Sequence, residues 1–486
     1  MAREPFAGGV PVMAQLRYHR IRHETDLSVP RPEKVANGSL TTLVAPRRVK
    51  VDREKSVSQS GATHFSQRGA LVRFIHAADL HLDSPLTGLR ERADSRAEDI
   101  AGATLRAFRE MIRFAIDEKV DLVVIAGDIF DGDWSDYKSG LEFVAGLAAL
   151  NKADIRVAMV RGNHDAANKM SRRLKWPDNT YEFPSRGPKT HVIDHLGVAL
   201  HGQSFPTGAV PQNLAQNYPA ARGDLFNIGL LHTSGSGPCA HATYAPCSVA
   251  DLTTKGYDYW ALGHVHTRSS LCDSPPIVFP GNLQGRHINE PGERGFMLVT
   301  VESNRIQEVR FVPIDVLRWR RLEVNLSEAT SFDEALVAIG SEFESALAGA
   351  DGRPLAVRLT LFGATSLHGE LIARSETLEA ECDSLALTAS GEIWIEQIQI
   401  NTTPSSTLSS VDGSIGALAT LIGTIASDSA EASDFRRSIE PGLQKTPIEI
   451  RREAGLEPLT DERFTSVLAD ADAMLRHRLI SKGRRS

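Results

Sequence analysis

Three short apolar runs constrain this chain more than any other feature: Val72-Arg73-Phe74-Ile75-His76-Ala77-Ala78, Leu122-Val123-Val124-Ile125-Ala126 and Ile155-Arg156-Val157-Ala158-Met159-Val160. Each has the length and residue types of a buried strand, and each is closed by polar or glycine-containing residues. Two stretches of helical spacing separate them. Ile100, Leu105, Phe108, Ile112, Ala115 and Ile116 follow the capping-box signature Ser95-x-x-Glu98, and Leu141, Val144 and Leu147 follow Ser139-x-x-Glu142. Strands and helices alternating in this way predict an α/β fold, with helices packed on a largely parallel sheet. Ligands of such sheets gather beyond the carboxyl ends of the strands. The residues just after each run are therefore the first candidates for chemistry.

Composition narrows the class. A chain of 486 residues, 41% hydrophobic and 24% charged, is long enough for several globular domains. No apolar run reaches membrane-spanning length, so no membrane role is expected. The four cysteines show no C-x-x-C spacing, which argues against a disulfide framework or a cysteine zinc site. A cytoplasmic protein with free thiols is the expectation. The net charge of -7 is uneven, +6 over residues 1–72 and -10 over 314–486. An acidic total argues against a DNA-coating protein, but it does not exclude an enzyme whose site carries cations.

Four segments emerge. Residues 1–71 mix Pro, Gly, Ser and Arg without periodicity and read as a disordered or untranslated extension. Residues 72–313 continue the strand pattern at Val198–Gly202, Phe226–Leu231 and Tyr257–Leu262, with hairpin-like segments at Ile277–Pro280 and Gly295–Val301. Residues 314–403 carry strands at Leu322–Leu326, Leu355–Leu361 and Glu392–Glu396, with a helix near Phe332–Leu347, and read as a small α+β domain. Residues 404–486 read as helical after a Thr402–Thr407 linker, with a break at Gly455 and Pro458 and Thr460 as an N-cap.

Five polar clusters sit at predicted strand ends: Asp79-Leu80-His81, Gly127-Asp128, Gly162-Asn163-His164-Asp165, His232 and Gly263-His264-Val265-His266. Together they offer carboxylates, an amide and imidazoles but no thiolate, a set suited to manganese, iron or zinc. Two cations about 4 Å apart clamp the attacking and leaving oxygens of a phosphoryl transfer, which explains the number of ligands. Asp128 is the best candidate to bridge them, since the glycine before it lets the backbone approach closely.

These motifs, taken in order, resemble the calcineurin-like metallophosphoesterases. Phe74-Ile75-His76-Ala77-Ala78-Asp79-Leu80-His81-Leu82-Asp83, Gly127-Asp128-Ile129-Phe130-Asp131 and Pro280-Gly281-Asn282-Leu283-Gln284-Gly285-Arg286 resemble the SbcD-type DNA repair exonucleases of that superfamily, especially the YhaO-like branch. The resemblance implies a β-sandwich flanked by helices over 72–313; the small domain at 314–403 is expected to cap it, and the C-terminal helices to dock an ATPase as an amphipathic helix docks in a groove. It implies that Asp79, His81 and His266 hold one divalent cation with Asp128, and that Asn163, His232 and His264 hold a second with the same Asp128. Manganese is expected first, with iron or zinc as alternatives. His164 would act on the scissile phosphate. Asp131 and Asp165 would orient imidazoles, and Arg286 and His287 are candidates for phosphate contact.

The activity so implied is a two-metal DNA exonuclease in DNA repair, working with an SMC-like ATPase and with homodimerisation left open. Two other readings compete. One is a phosphatase or phosphodiesterase on the same site. Protein phosphatases of this superfamily carry Arg directly after the second Asp of Gly-Asp-x-x-Asp, whereas Gly132 follows Asp131 here. The other is a non-catalytic scaffold, which has no need of His164. The cluster Lys169, Arg172, Arg173 and Lys175 is either a solvated face or a contact for a nucleic-acid backbone.

Overall fold

The computed structural model describes residues 71–89 (except 83 and 87), 102–131, 137–168, 174–235, 244–389, 392–405, 429–448 and scattered positions between 451 and 475. Two six-stranded sheets form its centre. The first runs in the order β12 (Arg305–Pro313), β11 (Gly295–Glu302), β1 (Leu71–Ala77), β2 (Leu122–Ala126), β3 (Arg156–Val160), β4 (Thr180–Glu182). The second runs β5 (Lys189–Ile193), β6 (Val198–Gly202), β7 (Phe226–His232), β8 (Tyr259–Gly263), β10 (Pro276–Phe279), β9 (Ser269–Asp273). The inner strands β1, β2, β3 and β6, β7, β8 are mutually parallel, as the alternating pattern requires.

The sheets face each other across a core that includes Phe74, Leu122, Val124 and Ala158 from the first and Leu200, Phe226, Ile228 and Tyr259 from the second. Ile75, Val123, Ile125 and Val157 point the other way, against α1 (Ala103–Asp117) and α2 (Lys138–Lys152). Strands buried on both faces read as unbroken apolar runs, which is why these runs stand out in the sequence. In α1 the buried positions Ala103, Ala107, Phe108, Met111 and Ala115 recur at helical spacing. Ser95 and Glu98 lie outside the described residues. Ser139 does not cap α2: the helix starts one residue earlier, at Lys138, and Tyr137 precedes it without a side-chain cap.

The remaining edge elements differ from expectation. β4, β5, β9 and β12 are short or partly exposed strands with no clean alternation. The hairpin-like segments form hairpins as expected: β10 pairs antiparallel with β9 and β11 antiparallel with β12, and each also joins a strand on its other side, β8 and β1.

A third, parallel sheet joins β13 (Arg318–Asn325), β14 (Leu355–Thr365) and β15 (Ile393–Pro404). Its core packs on α3 (Phe332–Ala348), α4 (His368–Ala373) and α5 (Ser375–Thr388). Thr402, Thr403 and Pro404 are not a linker. They extend β15 against Gly363–Thr365, where an edge strand tolerates proline. Residues 406–428 lie outside the described residues. Further on, α6 spans Ser429–Leu443, and Thr460 accepts the Arg463 amide at 3.2 Å as the expected N-cap. Among the described residues, no helix is long and apolar enough to cross a membrane.

The third sheet is fastened to the sandwich by buried groups. Gln284 donates to the Leu317 carbonyl at 2.6 Å and accepts the Val316 amide at 2.9 Å. The Trp319 indole donates to the Gly285 carbonyl at 2.9 Å and packs with Leu86, Leu89, Ile288 and Ala356. Trp319 is fully buried, and truncating such a side chain costs about 3–5 kcal/mol. Trp319→Ala should therefore lower the urea midpoint well beyond the scatter of surface substitutions, and an unchanged midpoint would contradict this packing.

Candidate metal centre

The polar residues that follow β1, β2, β3, β7 and β8 converge from both sheets. The loop after β1 continues alongside the loop after β2: the Asp79 amide donates to the Gly127 carbonyl and the His81 amide to the Asp128 carbonyl, at 3.0 and 3.1 Å. Asp79, His81, Asp128 and His264 all adopt positive φ angles, of 51°, 42°, 51° and 103°. Side chains rarely accept this backbone, and its cost is of order 1–3 kcal/mol per residue. Surrounding hydrogen bonds hold it in place.

Two glycines make room. Gly127 has φ of 93°, and a Cβ there would collide with the His232 ring. A Cβ on Gly162 would overlap Asp128 Oδ1 and the same ring. Any side chain at either position would push the ligand atoms apart.

Two groups of donor atoms result, each within 4.8 Å: Asp79, His81 and His266, and Asp128, His232 and His264. His81, Asp131 and His164 form a third such group that shares His81 with the first. Asn163 joins the second group, its Oδ1 lying 3.0 Å from His232 Nε2. Asp79, His81, Asp128 and His232 are buried, while the His164 side chain is 40% exposed at the rim.

The hydrogen bonding of the imidazoles fits a bound cation. His232 Nδ1 donates to the Ala126 carbonyl at 2.9 Å. That leaves Nε2 directed at two oxygens, Asn163 Oδ1 at 3.0 Å and Asp128 Oδ2 at 3.3 Å. A lone pair facing two acceptors is repulsive, so a proton or a cation belongs among them. His266 Nδ1 donates to Glu290 Oε1 at 2.7 Å, and its Nε2 faces His81 Nε2 at 3.3 Å. Bonding one ring nitrogen to a carbonyl or carboxylate and aiming the other inward is the usual disposition of metal-binding histidine.

Charge is arranged accordingly. Burial works against a charged His232, but Asp128 and Asp79 outweigh it and raise the imidazole to about 9. Burial also opposes the charge of Asp128, yet His232 beside it holds the carboxyl well below the usual range. Burial raises the Asp79 carboxyl, whose two oxygens accept the His264 amide at 3.0 Å. Burial lowers His264 to about 3, which keeps its ring neutral. The buried carboxylates thus lack a full complement of positive charge, a deficit that divalent cations would fill.

The neighbouring acids have separable tasks. Asp131 Oδ1 lies 3.3 Å from His81 Nδ1 and 3.2 Å from His164 Nδ1, placed to orient both rings. Asp165 does not orient an imidazole. Its carboxylate accepts the backbone amides of Ile129, Phe130 and Gly162 at 3.0–3.1 Å, clamping the loops after β2 and β3 together. Arg286 is mostly buried, bonds Glu290 at 3.0 Å and approaches Asp131 at 3.7 Å. Its guanidinium is thus a brace within the site rather than an open phosphate grip. His287 is partly exposed and accepts the Asn289 amide within its own turn. Lys169, Arg172 and Arg173 lie outside the described residues, and Lys175 is exposed. No sequence signal marks Glu290, which stands 24 residues beyond His266 and just outside the Pro280–Arg286 motif of the same loop.

Comparison with known proteins agrees with this geometry. The calcineurin-like phosphoesterase family matches residues 72–268, and the middle domain of metallophosphoesterase YhaO matches 319–403. The chain is 31% identical over 415 residues to an uncharacterized metallophosphoesterase, YhaO, of Bacillus subtilis (strain 168), covering 84% of this chain and 98% of that protein.

The chain belongs to the calcineurin-like metallophosphoesterases.

It is therefore a hydrolase of a family that uses a dimetal site, and its Asp and His groups can hold metal. More distant relatives are the DNA double-strand break repair protein Mre11 of Methanopyrus kandleri, 24% identical over 51% of this chain and 58% of that protein, and a subunit of the nuclease SbcCD of Staphylococcus epidermidis, 23% identical over 51% and 71%.

The charge balance of this metallophosphoesterase has a measurable consequence. With no cation bound, His232 keeps a proton on Nε2 up to about pH 9, and a cation takes that nitrogen only once the proton leaves. Mn2+ affinity should rise by up to about tenfold per pH unit below that value and level off above it. Isothermal titration between pH 7 and 10 checks this, and affinity that is flat or falls toward pH 9 would contradict the assignment.

Proposed function

We propose that this chain is a two-metal DNA nuclease of exonuclease type that acts in DNA repair. The observation that carries the reading is the pairing of two buried ligand groups with one exposed imidazole, His164, at their rim. Asp79, His81 and His266 would hold one divalent cation and Asn163, His232 and His264 the other, with Asp128 shared between them. Such cations supply Lewis acidity and a nucleophile at neutral pH.

The side chains of this protein do the rest. The His164 amide donates to Asp128 Oδ1 at 3.0 Å, and Asp131 holds its ring from Nδ1. The opposite ring nitrogen is thereby free to meet a phosphate oxygen or to protonate the leaving oxygen. The distant relatives named as a nuclease and a break-repair protein support DNA as the substrate.

The test is a nuclease assay on linear duplex and single-stranded DNA with Mn2+. Wild type should degrade DNA from its ends, and His164→Ala should be slower by about 10²–10⁴-fold, the usual contribution of a positioned proton donor. If wild type leaves DNA intact yet cleaves a phosphomonoester, the site belongs to a phosphatase instead.

We further propose that the C-terminal helical region docks an SMC-like ATPase. Phe435, Ile448 and Leu475 are large apolar side chains exposed there. An amphipathic helix offers such residues to an apolar groove. Phe435→Glu combined with Leu475→Glu should abolish co-purification with that ATPase while leaving Mn2+-dependent hydrolysis of a small phosphodiester within twofold. Undiminished co-purification would refute the docking role.

A further inference from the structure

Glu290 is a buried carboxylate, 5% exposed, in the loop between β10 and β11. It accepts from four groups. Oε1 takes His266 Nδ1 at 2.7 Å and Arg286 Nη2 at 3.0 Å. Oε2 takes Asn282 Nδ2 and the Arg286 amide, both at 2.8 Å. A carboxylate withdrawn from water needs such donors. Arg286 supplies the cation that offsets its charge.

The same loop is held from two sides. Arg294 Nη1 bonds Asn282 Oδ1 at 3.1 Å, and Gln284 and Trp319 fix the loop to the third sheet. Glu290 is therefore stationary relative to the sheets. His266, by contrast, comes from the loop after β8 and has a half-buried side chain. Glu290 Oε1 at 2.7 Å and Arg286 Nη2 at 3.0 Å both meet its Nδ1, and since a guanidinium cannot accept a proton, the carboxylate is the group that sets the tautomer of the ring. With Nδ1 bonded to Oε1, Nε2 is the nitrogen that turns toward Asp79 and His81.

We propose that Glu290 is the positioning residue for one of the two cation subsites: it fixes the tautomer and orientation of His266 and so sets the affinity of the Asp79–His81–His266 group alone. The Asp128–His232–His264 group makes no contact with it and should be indifferent to it. This inference rests on the two-cation reading above. It adds an asymmetry, in which the two subsites depend on different supports, His266 on Glu290 and His232 on the Ala126 carbonyl.

The experiment is a titration of the full-length, cation-free protein with Mn2+, following free Mn2+ by electron paramagnetic resonance. Wild type should bind two ions; fewer than two defeats the dimetal reading itself. In Glu290→Gln one ion should weaken by about 10- to 100-fold, the usual cost of removing such a support, while the other stays within twofold. His266→Ala should weaken the same single ion. The double variant Glu290→Gln/His266→Ala should bind no worse than His266→Ala, because both changes act through one ring. Wild type binding two ions while Glu290→Gln leaves both unchanged, or weakens both alike, overturns the proposal. So do additive losses in the double variant. Glu290→Asp, which keeps the charge and shortens the reach, should recover part of the affinity. If neither Glu290 variant folds by circular dichroism, the residue is structural and the proposal falls.

Discussion

The hydrogen bond from His232 Nδ1 to the Ala126 carbonyl ties the two sheets together at the point where chemistry is possible. His232 ends β7 of one sheet and Ala126 ends β2 of the other. Without that bond the imidazole has no fixed tautomer, and the strand ends have no common origin. Gly127 and Gly162 are small because this ring lies against them. Asp128 follows Gly127 and accepts the His164 amide, so the rim residue is referenced to the same point. Another tie, from the His264 amide to both oxygens of Asp79, runs between the same two sheets.

Such an assembly is costly to fold. Asp79, Asp128 and Asp165 are all buried within one small volume. Asp165 is raised to about 7 by burial and by Asp128, although three backbone amides pull the other way. Ions this deep are stable only when paired. Asp165 obtains its partners from the backbone and Glu290 obtains its partners from side chains. Asp79 and Asp128 are met in part by imidazoles, which leaves them suited to cations. The centre thus separates acids that hold the chain in shape from acids that remain for ligands.

Much of this was legible in the sequence, for a physical reason. Inner parallel strands are apolar on both faces, so β1, β2 and β3 announce themselves, and the polar residues after them mark the carboxyl ends. The ligand candidates could therefore be read in order, although only the family resemblance, and no local pattern, brings His232 and Asn163 together across two sheets. Edge strands such as Ser269–Asp273 and Lys189–Ile193 carry no clean alternation, so no local pattern marks them. Ser139 resembled a cap because it precedes a Glu at the right spacing, but the helix begins before it. Glu290 was invisible for a different reason. Its importance comes from donors on three residues, Asn282 and Arg286 of its own loop and His266 of the loop after β8, and no local pattern encodes that. Asp165 lay inside a recognised motif, yet its role as a backbone clamp emerges only once the neighbouring loop is in place.

The left-handed backbone at Asp79, His81, Asp128 and His264 bears on how this protein can be improved or eroded. Each of these residues occupies a conformation that glycine, and to a lesser degree asparagine, adopts with less strain. A laboratory selection for thermal resistance alone would be drawn to His81 and His264, whose side chains carry neither of the ties that Asp79 and Asp128 supply. The variants it favoured would be sturdier and would lack their ligands. Durability and chemistry compete here residue by residue, so any such campaign has to screen for cation retention from its first round.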